Sequence, residues 1–262
     1  MNARELTDQI AAKLAAEVRR NGDIIPYIAE DGVYKTDMRQ KNLSWWTNGF
    51  WAGLLWQMYH AVGVAEFKAT AEKTEGWLDE AMADFTGLHH DVGFMWMLSA
   101  VADYRLTGNE KSRTRAMHAA TLLAGRYNPN GRFLRAWNGD KTGWMIVDCL
   151  MNLSLLYWAS DETGDPRYAE IAQNHADTAL RVLLRPDGSC NHIAVLDPVT
   201  GELTGVPAGQ GYAPGSSWSR GQSWAVYGFA LSAKHTGEAR SLEAAKRSAH
   251  YFIANAATHN WE

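Results

Sequence analysis

Four times along this chain an apolar helical pattern runs into a glycine, and a more polar, alanine-rich helical pattern leaves it. No other feature limits the fold as much. The turns are Ala61-Val62-Gly63, Leu106-Thr107-Gly108-Asn109, Glu162-Thr163-Gly164-Asp165 and His235-Thr236-Gly237-Glu238. Glycine suits the left-handed position that closes a helix, and an Asn or Asp after it can cap the next one. The entering helices are predicted at 48–60, 91–106, 146–162 and 221–235, and the leaving ones at 65–84, 109–126, 165–184 and 239–257. An amphipathic helix over 4–20, with Leu6, Ile10, Leu14 and Val18 at spacing four, precedes them. No strand pattern competes, so the expected class is all-α, built from serial helical hairpins.

The entering helices are the more apolar, so they should line the inside of the array while the leaving helices coat it. Hairpins joined in that way make an α/α toroid or an α-solenoid. The turn glycines are 45, 56 and 73 residues apart, which puts insertions between hairpins. The loops 85–90, 127–143 and 185–219 all precede entering helices, and should gather at one end, where function usually sits. Asp91 stands 17 residues before Gly108, Asp148 stands 16 before Gly164, and Arg220 stands 17 before Gly237. Equal depth along equivalent helices places these side chains at one level around a common cavity.

The stretch around Asp148 is the most telling. From Trp144 to Trp158 nearly every residue is apolar, and a helix apolar all round belongs in an interior. An ionised carboxylate there must be paired, or its pKa must rise, and a carboxyl with a raised pKa is what a general acid needs. Asp148 could equally cap the helix or pair with an Arg. Two aspartates facing one cavity suffice for acid/base chemistry on a sugar. Asp148 has the more apolar setting and takes the proton-donating role, leaving Asp91 ionised beside His89, His90 or a substrate hydroxyl. Asp91 at a helix start can also be an N-cap. Arg220 and Gln210 could hold a carboxylate, although a buried Arg220 would instead neutralise an aspartate. Trp46 and Trp224 could stack on sugar faces.

Other classes are disfavoured. A net charge of −4 with interspersed signs argues against a nucleic-acid surface. No long apolar run suggests a membrane span, and Met1-Asn2-Ala3-Arg4 lacks a signal-peptide core, so a cytoplasmic protein is expected. Cys149 and Cys190 form neither a disulfide framework nor metal-type spacing. Adjacent His89 and His90 on a short loop are poorly placed to share one ion, so neither metal nor cofactor is expected. Gly205–Gly211 lacks the strand-turn-helix setting of a dinucleotide fingerprint, and Gly221-Gln222-Ser223-Trp224-Ala225 lacks nucleophile-elbow spacing.

Three segments carry a resemblance: His89-His90-Asp91-Val92-Gly93-Phe94, Asp148-Cys149-Leu150-Met151-Asn152-Leu153 and Ser217-Trp218-Ser219-Arg220-Gly221-Gln222-Ser223-Trp224. In this order they resemble the unsaturated glucuronyl hydrolases of glycoside hydrolase family 88. The resemblance implies an (α/α)6 barrel, here a single domain over 1–262 holding about nine of twelve helices. It also implies removal of a 4,5-unsaturated uronic acid from the non-reducing end of lyase-generated oligosaccharides, by hydration of the C4=C5 enol ether. Carried over, Asp148 matches the general acid/base and Asp91 the second essential carboxylate. His192, Gln210, Arg220 and Trp224 match pocket residues, and Trp46 matches an aromatic at the pocket wall. Geometry alone selects neither His192 nor Gln210. The implied partner is an unsaturated oligosaccharide, with neither nucleic acid nor membrane, and the oligomeric state stays open. Two alternatives stand beside this: an unsaturated rhamnogalacturonyl hydrolase acting on pectin fragments, and a non-catalytic carbohydrate-binding helical protein.

Overall fold

All four turn glycines close helices as expected. In a computed structural model, which describes residues 2–258, Gly63, Gly108, Gly164 and Gly237 have φ of 69°, 74°, 71° and 70°. Each donates its N–H to the carbonyl four residues back: Tyr59, Tyr104, Ser160 and Ala233. Asn109 and Asp165 accept from the backbone N–H two residues on, at 3.1 and 3.0 Å, and so start the next helices. The chain forms two compact units, one comprising the residues through Leu88 with Phe94–Ala119, the other His89–Gly93 with the residues from Ala120 on.

The first unit contains α1 (Ala3–Asn21), the short α2 (Met38–Lys41), α3 (Asn48–Val62), α4 (Ala65–Asp84), most of α5 (Val92–Leu98), α6 (Ala100–Thr107) and the start of α7 (Glu110–Ala124). A two-residue hairpin, β1 (Ala29–Glu30) with β2 (Val33–Tyr34), precedes α2. The helix predicted over 91–106 is broken at Ser99, whose φ and ψ (−102°, −85°) leave the helical region. Its hydroxyl turns back to the Met95 carbonyl at 2.6 Å, a local bond that competes with the helix. Val18, Trp51, Leu55, Trp56 and Phe67 form the apolar core. Leu14 packs on that core, whereas Leu6 and Ile10 of the same stripe stay exposed.

This unit also buries charge. Glu75 (1% exposed) accepts from Trp56 Nε1 at 2.9 Å and from Ser112 Oγ at 2.7 Å. The same hydroxyl lies 2.6 Å from Asp103 Oδ2. A hydroxyl has one proton to give, so one of the two carboxyls must bring its own. Burial raises the Glu75 pKa to about 7; the Asp103 charge adds to that rise, and the Ser112 and Trp56 hydrogen bonds oppose it. Arg115 grips Asp79 through two bonds of 2.6 and 2.7 Å and reaches Glu75 at 3.5 Å.

The second unit contains the end of α7, α8 (Cys149–Thr163), α9 (Arg167–Val182), α10 (Ser219–Thr236) and α11 (Ala239–Thr258). α8 packs on α9 and α10, and α10 on α11. As expected, α8 is buried on almost every side: ten of its fifteen residues are buried. Short strands nevertheless occur between the helices, and they correct the helical reading of residues 144–146. Trp144–Ile146 is β5 rather than the start of a helix, and it pairs antiparallel with β6 (Ile193–Leu196), which pairs with β7 (Leu203–Gly205). A further hairpin joins β3 (Tyr127–Asn128) to β4 (Phe133–Leu134). Strands of two to four residues are too short to show an alternating pattern, which is why the sequence hides them. Both cysteines are buried and free.

Candidate active site

The β5–β6 ladder builds the centre. Ile146 pairs with Ile193, and one residue further Val147 N–H donates to the His192 carbonyl at 3.0 Å. The chain then turns into α8, so Asp148 and His192 are delivered side by side from the ends of neighbouring strands. Asp148 stands at the helix N-cap, yet its side chain makes no capping bond. Its Oδ2 lies 3.6 Å from His192 Nε2. Both atoms are buried and neither has a hydrogen-bond partner. Buried polar atoms without partners are costly in a native protein, so this facing pair calls for a water, an ion or a reactant.

Asp91 reaches the same place from the start of α5. Gly93 makes the approach possible, because a Cβ there would lie 2.5 Å from the Asn152 Cα on α8. Asn152, fully buried, hydrogen-bonds the Asp91 carboxyl and donates to the Asp148 carbonyl at 3.3 Å. Burial raises the Asp91 pKa to about 7; the His89 interaction opposes this, while the Asp148 charge adds to it. Against the expectation of an ionised Asp91, burial and the Asp148 charge favour its protonated form.

His90 Nε2 lies 3.2 Å from Asp91 Oδ1, and His89 Nδ1 lies 3.4 Å from Oδ2. Burial depresses both histidines to about 4, and each is further depressed by neighbouring positive charge. The ligand-type atoms of His89, His90 and Asp91 fall within 4.8 Å of one another, so the objection that adjacent histidines cannot converge fails on geometry. Arg126, which the sequence reading missed, is half-buried beside this group. It donates to the Arg135 carbonyl (2.9 Å) and the Ala136 carbonyl (3.2 Å), and burial lowers its pKa to about 10.

Gln210, backed by Arg220, closes on His192. Gln210 N–H donates to His192 Nδ1 at 2.8 Å, so the neutral ring carries its proton on Nε2, facing Asp148. Gly209, with φ of 58°, allows this approach; a Cβ there would sit 2.2 Å from Nδ1. Arg220 donates to Gln210 Oε1 at 2.8 Å and stacks on Trp218, 4.3 Å from its ring. Trp218 in turn tilts against His192 at 4.5 Å. Arg220 is exposed, which removes the buried-counterion alternative for it. Trp224 is half-buried on the same helix. Trp46 belongs to the first unit, half-buried against Phe50 and Phe94 with ring centroids 5.5 and 5.4 Å away. Trp218 and Asn152 were present in the quoted motifs without a role. Their signal was a ring two positions before Arg220, and an amide four positions after Asp148.

Known proteins share the sequence and fold of this chain. The model of Glycosyl Hydrolase Family 88 matches residues 19–259. An unsaturated glucuronyl hydrolase of Bacillus sp. strain GL1 is 38% identical over 245 residues, covering 92% of this chain and 64% of the relative. An unsaturated chondroitin disaccharide hydrolase of Streptococcus pyogenes serotype M1 is 38% identical over 212 residues, covering 79% of this chain and 53% of the relative. The crystal structure of the Bacillus sp. GL1 unsaturated glucuronyl hydrolase superposes with a TM-score of 0.88 at 36% identity, over 95% of this chain and 67% of that one. The chain thus spans between half and two thirds of the length of the curated relatives it matches.

Proposed function

We propose, for a chain that belongs to Glycosyl Hydrolase Family 88, that it removes a 4,5-unsaturated uronic acid from the non-reducing end of oligosaccharides left by polysaccharide lyases. The observation that carries this is the buried, unpartnered pair of Asp148 Oδ2 and His192 Nε2, 3.6 Å apart, beside a second carboxyl. Asp148 is the proposed general acid/base. It protonates C4 of the enol ether, and the electron pair of the C4=C5 bond forms the new C–H bond. The positive charge left on C5 is shared with the ring oxygen. Water adds at C5 and returns its proton to Asp148. The resulting hemiketal opens and releases the remaining sugar, so no nucleophile at the anomeric carbon is required.

The surroundings suit that chemistry. The substrate brings a carboxylate, and a neutral Asp91 avoids adding a second negative charge where it enters. Asp91 then hydrogen-bonds ring hydroxyls, while exposed Arg220, held by Gln210 and Trp218, pairs with the carboxylate. Among the described residues no helix is long and apolar enough to cross a membrane. The test is loss of the ultraviolet absorbance of the conjugated uronate, with chondroitin-lyase and pectin-lyase products as separate substrates. The Asp148→Asn variant should lose at least about a hundredfold in kcat while still binding the sugar. A variant that kept most of its rate would refute the assignment. Binding without turnover in the unaltered chain would favour the non-catalytic alternative.

A further inference from the structure

The hydrogen bonds around His90 determine which atom owns the proton between His90 and Asp91. His90 is 2% exposed, and its Nδ1 lies 2.8 Å from the Ala136 carbonyl. A carbonyl only accepts, so Nδ1 carries a hydrogen. The main chain repeats the grip, with His90 N–H donating to the same carbonyl at 3.2 Å, and Ala136 N–H is held by the Trp144 carbonyl at 2.8 Å. The ring is therefore anchored to β5, and its tautomer is not free to change. In a neutral imidazole the remaining nitrogen, Nε2, is a bare lone pair, and it points at Asp91 Oδ1 from 3.2 Å. Two acceptors facing each other at that distance repel, so a neutral His90 requires a hydrogen on Asp91.

We propose that His90 is a positioning residue that keeps Asp91 in its protonated form, through an acceptor nitrogen fixed by the Ala136 carbonyl. The groups facing the pair decide the balance. Asp148, at the start of α8, and burial both disfavour a second anion; Cys149 beside it is a fully buried thiol with a raised pKa. Arg126 and His89 act in the opposite sense on Asp91, and Arg126 simultaneously disfavours a charge on His90. His175, buried on α9 with Nδ1 accepting from Leu134 N–H at 2.9 Å, is neutral and adds no charge. His192 opposes a positive His90 from the other side. A doubly protonated His90 paired with an ionised Asp91 is the competing arrangement: burial opposes both of its charges, Arg126 and His192 oppose the one on His90, and Asp148 opposes the one on Asp91 while favouring the one on His90.

The proposal deepens the functional reading but rests on it only for its kinetic part. In the free protein at about pH 6, nitrogen-15 NMR should show His90 Nε2 as an unprotonated, pyridine-type nitrogen. Infrared difference spectra should show a protonated carboxyl band that disappears in Asp91→Asn. A protonated Nε2, or no such band, overturns the proposal whether or not the protein turns over substrate. In kinetics, kcat/KM should fall as pH rises through about 7, where Asp91 loses its proton. His90→Asn keeps a donor for Ala136 and removes the acceptor facing Asp91, and should move that limb down by about one pH unit. A role confined to packing would lower the rate at every pH and leave the limb in place, which would also overturn it. Intact spectra in a protein without activity would refute the functional reading instead.

Discussion

Replacing Glu75 by Gln should make the protein more stable above neutral pH and remove one component of its pH dependence. Burial pushes the Glu75 pKa up to about 7 in the fold, against 4.5 for a solvated glutamate. The proton is therefore bound more tightly in the folded state. This contribution is complete below about pH 4.5, is lost progressively as pH rises, and has gone once pH passes about 7. Each pH unit of that span is worth about 1.4 kcal/mol, so the whole amounts to about 3 kcal/mol. Glutamine fits the existing bonds. Its Oε1 can accept from Trp56 Nε1, its Nε2 can donate to Ser112 Oγ, and Ser112 can then donate to Asp103. Arg115 keeps both bonds to Asp79. At about pH 5 the two proteins should unfold together, whereas at about pH 8.5 the variant should unfold about 6–12 °C higher, following the usual scaling for chains of this size. The assay is thermal unfolding by circular dichroism across the pH range, read as the difference between the two proteins so that other titrations cancel. Parallel curves would refute the argument that one proton is shared across Ser112.

Gly93→Ala should cost about 1–3 kcal/mol, because its methyl would press on the Asn152 backbone. The melting temperature and kcat should fall together, and an unchanged melting temperature would show that the approach is not needed. Arg220→Ala should mainly raise KM, and should leave stability within about 0.5 kcal/mol because the side chain is exposed. A fall in kcat at unchanged KM would contradict a substrate-gripping role.

The sequence by itself determined the hairpins. Each turn glycine is a local event, closing its own helix through a bond four residues back, and such events are legible without knowledge of the rest of the chain. It also put Asp148 at the entrance of an apolar helix, because the buried residues that follow it are its own neighbours along α8. The proton balance was decided only in three dimensions. Asp91 is pushed toward its protonated form by burial and by the Asp148 charge, 57 positions later, while the Asn152 hydrogen bond opposes the shift. His192 reaches Asp148 through strands too short to leave a pattern. Local bonding repeats along a chain and can be read from it, but desolvation depends on whatever the fold brings near, which no single segment records.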